Sequence, residues 1–121
     1  MILGIGVDLC RIARMKDAIT SEYFVKRIFA PEEIEYARSQ KDPAVHFAGS
    51  YAAKEAFGKA LGSGVMKMGL RSSWIRRTDH GPVIFCDEGL SEELEERGVH
   101  NLWISLSHEG EYAVAFVVLE S

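Results

Sequence analysis

Asp8 and Glu55 are the two carboxylates with the least ordinary surroundings in this sequence. Asp8 closes Gly4-Ile5-Gly6-Val7-Asp8, where glycines alternate with branched apolar residues. Glu55 lies in His46–Gly62, HFAGSYAAKEAFGKALG, among small and aromatic side chains. A carboxylate in such company needs a cation, hydrogen-bond donors or a bound ion. A salt bridge or a helix cap accounts for either acid alone. Taken as a pair with open coordination, they suit Mg²⁺, which keeps waters and takes phosphate oxygens as further ligands. The glycines beside Asp8 would let a phosphorylated ligand approach the backbone. Lys59, four residues after Glu55, reads in two ways. It is either an i,i+4 ion-pair partner worth roughly 0.3–0.5 kcal/mol or a cation that neutralises charge on a phosphoryl group.

Two further groupings carry chemistry. Ser105-Leu106-Ser107-His108 ends an alternating run, with Ser105 and Ser107 on the face of Trp103 and His108 at the turn. Hydroxyls and an imidazole there either hold phosphate by hydrogen bonds or simply form the turn. A Ser-His hydrolase is a poor fit, because nothing resembles a nucleophile elbow and adjacent strand residues point to opposite faces. Gly62-Ser63-Gly64 reads equally as a phosphate cradle and as a helix C-cap.

The elements that must position these groups are legible in outline. Met1–Val7 alternates as a strand, with Leu3, Ile5 and Val7 opposite Ile2, Gly4, Gly6 and Asp8. Arg11–Ile19 and Glu22–Phe29 fit short helices, and Pro31 begins a third with Glu32 and Glu33 at its positive end. Asp42-Pro43 precedes the long helix, along which Ala48, Ala52, Ala56 and Ala60 recur every fourth residue as a ridge for close packing. Ser72–Thr78 and Pro82–Cys86 form one hairpin, Leu90–Arg97 a short helix, and Leu102–Ser107 with Tyr112–Leu119 a second hairpin. The order predicts one α+β domain over residues 1–121, with a mainly antiparallel sheet packed against one long and several short helices.

Composition narrows the function. The 121 residues are 47% hydrophobic and 26% charged, as expected of a soluble globular protein. A net charge of −4 argues against a nucleic-acid binder. No apolar run has membrane-spanning length, the start lacks signal-peptide character, and Cys10 and Cys86 form no disulfide framework, so a cytoplasmic location is expected. Charge is nonetheless uneven. Arg11, Arg14, Lys16, Lys26 and Arg27 face only Asp17 and Glu22 within Arg11–Arg27. Such a local basic face is either a solvated helix surface or a dock for an acidic partner.

Four motifs in order bring these pieces together: GIGVD at Gly4–Asp8, AGSYAAKEAFGKALGSG at Ala48–Gly64, HGPVI at His80–Ile84, and SLSH followed by EYAVA at Glu111–Ala115. The chain resembles, nearly end to end, the holo-acyl-carrier-protein synthases, the small class of 4′-phosphopantetheinyl transferases. The resemblance implies transfer of the phosphopantetheine arm of coenzyme A to a serine of an acyl carrier protein, releasing adenosine 3′,5′-bisphosphate. It implies Mg²⁺ ligation by Asp8 and Glu55, and Lys59 near the transferred phosphate. Coenzyme A contacts are implied for Lys54, Lys59, Gly62, Ser63, Gly64, Pro82, Ser107 and His108. The serine's base is either Glu55 or a metal-bound water. Arg14 becomes the leading carrier-protein contact, supported by Arg11, Lys26 and Arg27, with Ile28 and Phe29 as an apolar anchor. A homotrimer with sites between subunits is also implied. One departure stands out: Ser50-Tyr51 replaces the family's usual Arg-Phe, and Arg71 or Arg76 is the expected substitute for the lost guanidinium. The rival readings are a non-catalytic coenzyme A or nucleotide-binding module of the same fold and a structural domain that binds an acidic protein.

Overall fold

The computed structural model describes residues 1–63 and 69–121. The chain runs β1 (Ile2–Arg11), α1 (Ile12–Ala18), α2 (Glu22–Ile28), α3 (Pro31–Arg38), α4 (Pro43–Leu61), β2 (Ser73–Thr78), β3 (Gly81–Cys86), α5 (Glu88–Glu96), β4 (Asn101–Glu109) and β5 (Tyr112–Glu120). All strand pairings are antiparallel. They form two sheets rather than one: a three-stranded sheet ordered β1-β5-β4, and the separate hairpin β2-β3.

Local chemistry sets the boundaries. Pro31 and Pro43 open α3 and α4, where a missing N–H costs nothing. The Ser21 hydroxyl accepts from the Phe24 N–H at 3.2 Å, and the Asp87 carboxylate accepts from the Leu90 N–H at 2.9 Å, so α2 and α5 begin at side-chain caps. Helix α4 stops at Gly62, whose φ of +79° is a left-handed value that favours glycine.

Helix α4 is the axis of the molecule. Ala48, Ala52, Ala56 and Ala60 are buried, as the ridge predicted, but so are Ala53, Phe57 and Leu61 on its other sides. The inward row of β5, Ala113, Ala115, Val117 and Leu119, is buried with them in one core. Strand β1 approaches α4 more closely than side chains would permit. A Cβ built on Gly4 would lie 2.2 Å from the Ala60 carbonyl oxygen, and one on Gly6 only 1.9 Å from that of Ala56. The glycines therefore make room for the helix backbone and not for a ligand, which corrects the sequence expectation for them. Asp8 is the next inward residue of β1 and opposes Ala115 across the ladder.

The outer face of the same sheet is uncovered. Leu9 is 63% exposed, Ile5 59% and Trp103 58%, and Leu3, Val7 and Phe116 are exposed beside them. His108, expected at a turn, belongs to β4 and pairs with Ala113, while the ladder closes at Glu109 and Tyr112.

Backbone oxygens cannot yield as a flexible side chain can. Gly6→Ala is expected to cost about 3 kcal/mol or more and to lower Tm by more than about 10 °C, read by thermal melting, whereas Gly62→Asn at the exposed C-cap shifts Tm far less.

Candidate active site

The site grows from the crossing of β1 and α4. Gly4 packs under Ala60 and Gly6 under Ala56, and Asp8 is the next inward residue of β1 along the same crossing. Lys59 reaches across that crossing. Its Nζ donates to Asp8 Oδ1 at 2.9 Å and to the Val7 carbonyl oxygen at 3.1 Å. The lysine thus pairs with the strand carboxylate and not with Glu55 one turn away. Lys59 is exposed, and Asp8 is mostly covered.

Glu55 is half-buried next to Tyr51. Burial, with the Glu55 carboxylate adding to it, pushes the Tyr51 phenol up to about 12, so it stays a protonated donor near neutral pH. The Cys10 thiol, two residues beyond Asp8 on the same face, is raised mainly by burial. Asp8 and Glu55 push it further up and Arg14 pulls it down, so both carboxylates and the arginine lie within electrostatic reach of one point.

The donor set bears on a metal. Among the described residues no three His, Cys, Asp or Glu side chains converge. Asp8 and Glu55, each partly exposed, are of the type that fits Mg²⁺, which takes one or two protein carboxylates and completes its shell with water and phosphate oxygens. They do not fit a structural zinc, which demands four protein ligands.

The remaining predicted residues divide. Lys54 is fully buried and cannot touch a ligand. Its ammonium pairs with Glu33 at 2.9 Å, donates to the Leu70 carbonyl at 2.8 Å, and donates to the Ser73 carbonyl as well. Glu33 in turn accepts from the N–H groups of Ala30 and Ile75, each at 2.9 Å. Lys54 is a bolt joining α3, α4 and β2, and the coenzyme A contact expected of it is corrected. Ile28 and Phe29 are likewise buried, Phe29 against Phe47 with ring centroids 4.8 Å apart, so the apolar anchor expected of them belongs to the core. Arg11, Arg14, Lys26 and Arg27 are exposed, Arg11 donating to the Tyr112 hydroxyl and Arg27 to that of Tyr23. Gly62 and Ser63 follow the end of α4, and Gly64 lies outside the described residues.

His108 and Ser107 line a cavity of about 150 Å³ with Tyr36, Val45, His46, Gly49, Arg77, Leu106 and Ala113. Pro82 opposes Arg77 across the β2-β3 ladder. Ser50 is buried, and its hydroxyl accepts from Arg77 Nη1 at 3.1 Å. Neither expected substitute lies there. Arg76 is clamped by both Glu32 oxygens, each at 2.9 Å, over the Phe85 ring, and Arg71 lines a groove with Lys26, Phe29 and Ile34. Sequence reasoning missed Arg77 because strand periodicity separates it from Arg76 without saying which face meets Ser50.

Comparison with known proteins is consistent across the whole chain. Residues 4–117 match the model of the 4′-phosphopantetheinyl transferase superfamily. A holo-[acyl-carrier-protein] synthase of Thiobacillus denitrificans is 44% identical over 99% of this chain and 95% of its own. The crystal structure of the Neisseria meningitidis holo-[acyl-carrier-protein] synthase superposes with a TM-score of 0.92 at 35% identity, covering all of both chains. That of the Bacillus anthracis synthase, solved in complex with CoA (3′,5′-ADP), gives 0.83 at 33% identity, covering 100% of this chain and 98% of that one.

If Lys54 is a bolt, removing it strands Glu33 in the core. Lys54→Met is expected to cost about 3–5 kcal/mol, read by denaturant unfolding, and Lys54→Met with Glu33→Gln should recover part of that loss.

Proposed function

Because this chain belongs to the 4′-phosphopantetheinyl transferase superfamily and is an enzyme of the holo-acyl-carrier-protein synthase kind, we propose that it uses Mg²⁺ to move the 4′-phosphopantetheine group of coenzyme A onto a serine of apo acyl carrier protein. Adenosine 3′,5′-bisphosphate is the other product. The observation that carries this reading is the Asp8–Lys59 pair where β1 crosses α4, with Asp8 and Glu55 both close enough to act on the Cys10 thiol.

Asp8 and Glu55 would hold Mg²⁺, which supplies charge neutralisation at the pyrophosphate when bound. Lys59 compensates the Asp8 carboxylate until a phosphorylated ligand arrives. Its stem is exposed, so the ammonium can turn to the phosphoryl oxygens as negative charge builds on them. The carrier serine oxygen forms a bond to the phosphorus that bears pantetheine. The bond from that phosphorus to the bridging oxygen breaks, and the adenosine bisphosphate leaves with the electron pair. The serine proton passes to Glu55 or to a water beside it, while Tyr51, kept protonated, cannot compete as a base.

Arg14, with Arg11, Lys26 and Arg27, is suited to docking the acidic carrier protein, and its exposed position supports that role. The bare row Leu3, Ile5, Val7, Leu9, Trp103 and Phe116 supports a homotrimer in which copies of this chain cover one another's sheets. Asp8 follows Val7 on the same strand, so a neighbouring copy seated on that row borders the site.

The test is the mass of an apo carrier protein incubated with coenzyme A and Mg²⁺. Wild-type protein should add the phosphopantetheine arm, whereas Asp8→Asn and Glu55→Gln each slow transfer at least about 100-fold with little change in Tm. An unmodified carrier with wild-type protein would sink the reading. Separately, Ile5→Asp with Trp103→Asp should convert a three-chain species to a single chain in light scattering.

A further inference from the structure

We propose that Arg77 is the residue by which this chain recognises the phosphomonoester of coenzyme A, a proposal that rests on the transferase reading above. Among the described residues Arg77 has no carboxylate partner. The guanidinium enters the small cavity between α4, β4 and β5, half-buried. Among the described residues its hydrogen bonds go to neutral oxygens: the Ser50 hydroxyl at 3.1 Å, and the His46 carbonyl at 3.5 Å from Nη2. One face lies over the Tyr36 ring, 4.9 Å from its centroid. Glu33, the carboxylate that acts on Arg77 from a distance, is already committed to Lys54. Arg76, next along the strand, has the bidentate carboxylate partner that Arg77 lacks.

The cavity is also electrically one-sided. Its polar lining is Arg77, His46, His108, Ser107 and Tyr36, with no acid. Burial lowers the His46 pKa, and Arg77 and His108 lower it further against a smaller opposing pull from Asp42, which does not line the cavity. A cationic group withdrawn from water without a carboxylate is costly unless an anion completes it. About 150 Å³ is small against the 300–1,000 Å³ typical of drug-sized ligand pockets. It suits one tetrahedral oxyanion, which a guanidinium fork grips in bidentate fashion.

Chemistry then identifies the anion. The pyrophosphate of coenzyme A carries the reacting phosphorus, so it belongs with Asp8, Glu55 and Lys59. The phosphomonoester on the ribose is the only other phosphate, and the most highly charged one. Ser50 supplies the seat: it is small enough to admit a guanidinium from β2 and accepts the hydrogen bond that orients it. The cation reaches the cavity from strand β2.

The experiment compares coenzyme A with dephospho-coenzyme A as donor for wild-type protein and for Arg77→Met. Wild type should favour coenzyme A by about tenfold or more in kcat/KM, chiefly through KM, and Arg77→Met should bring the two donors to within about threefold of each other. A purely structural arginine would instead slow both donors alike, and that result overturns the proposal. Equal use of the two donors by active wild-type protein overturns it too. Wild-type inactivity with both donors would instead overturn the transferase reading. Should Arg77→Met fail to fold by thermal melting, Arg77→Gln keeps donors for Ser50 and the His46 carbonyl while losing the charge, and it is read by the same two outcomes.

Discussion

The close approach of β1 to α4 is the constraint from which the rest follows. Two glycines and an alanine-rich ridge let a strand backbone lie directly on a helix backbone, with carbonyl oxygens of α4 where side chains would otherwise be. That contact sets the register between the elements to within a fraction of a residue. Register in turn decides which side chains meet at the end of the crossing. Asp8 meets Lys59 there because the glycine positions are spent on packing and the next inward position is free for chemistry.

A second constraint acts on the opposite side of α4. The buried Lys54–Glu33 pair has its remaining hydrogen-bonding capacity taken up by carbonyls and N–H groups of three other segments. Buried ion pairs seldom add net stability over apolar residues of the same shape, but removing one partner is severe. What this pair contributes is definition. It ties the start of β2 to the centre of α4 and so controls where Arg77, four residues along that strand from Ser73, enters the structure.

Charge is distributed to match. The chain is acidic in sum, yet it carries a run of cations on the first helices, Lys59 at the β1–α4 crossing, and Arg77 with two histidines around one cavity. Such local positive potential on an acidic chain favours anions at particular places over nonspecific binding of polyanions. The apolar outer face of the three-stranded sheet adds a third kind of surface, one whose exposure is costly for a lone chain.

Elements with strong local signals were legible from residues alone. Pro43 and Gly62 bracket the long helix at both ends, and turn residues mark both hairpins, because caps and turns are decided by backbone dihedrals that single residue types impose. Asp8 and Glu55 were legible as an unusual combination of residue types, and the resemblance of four motifs implied a chemistry for them. Burial was not legible: Lys54 looked like a second ligand cation and Phe29 like a surface anchor, yet both are interior. Nor was the partner of Lys59, since Glu55 is nearer along the chain and Asp8 nearer in space. By itself the sequence determined the elements, their order and the residue types available for phosphoryl transfer, because these depend on local propensity and composition. Only the tertiary structure decided which cations are bolts and which remain free for a ligand, because that depends on which faces of α4 meet β1, β2 and α3 across long stretches of chain.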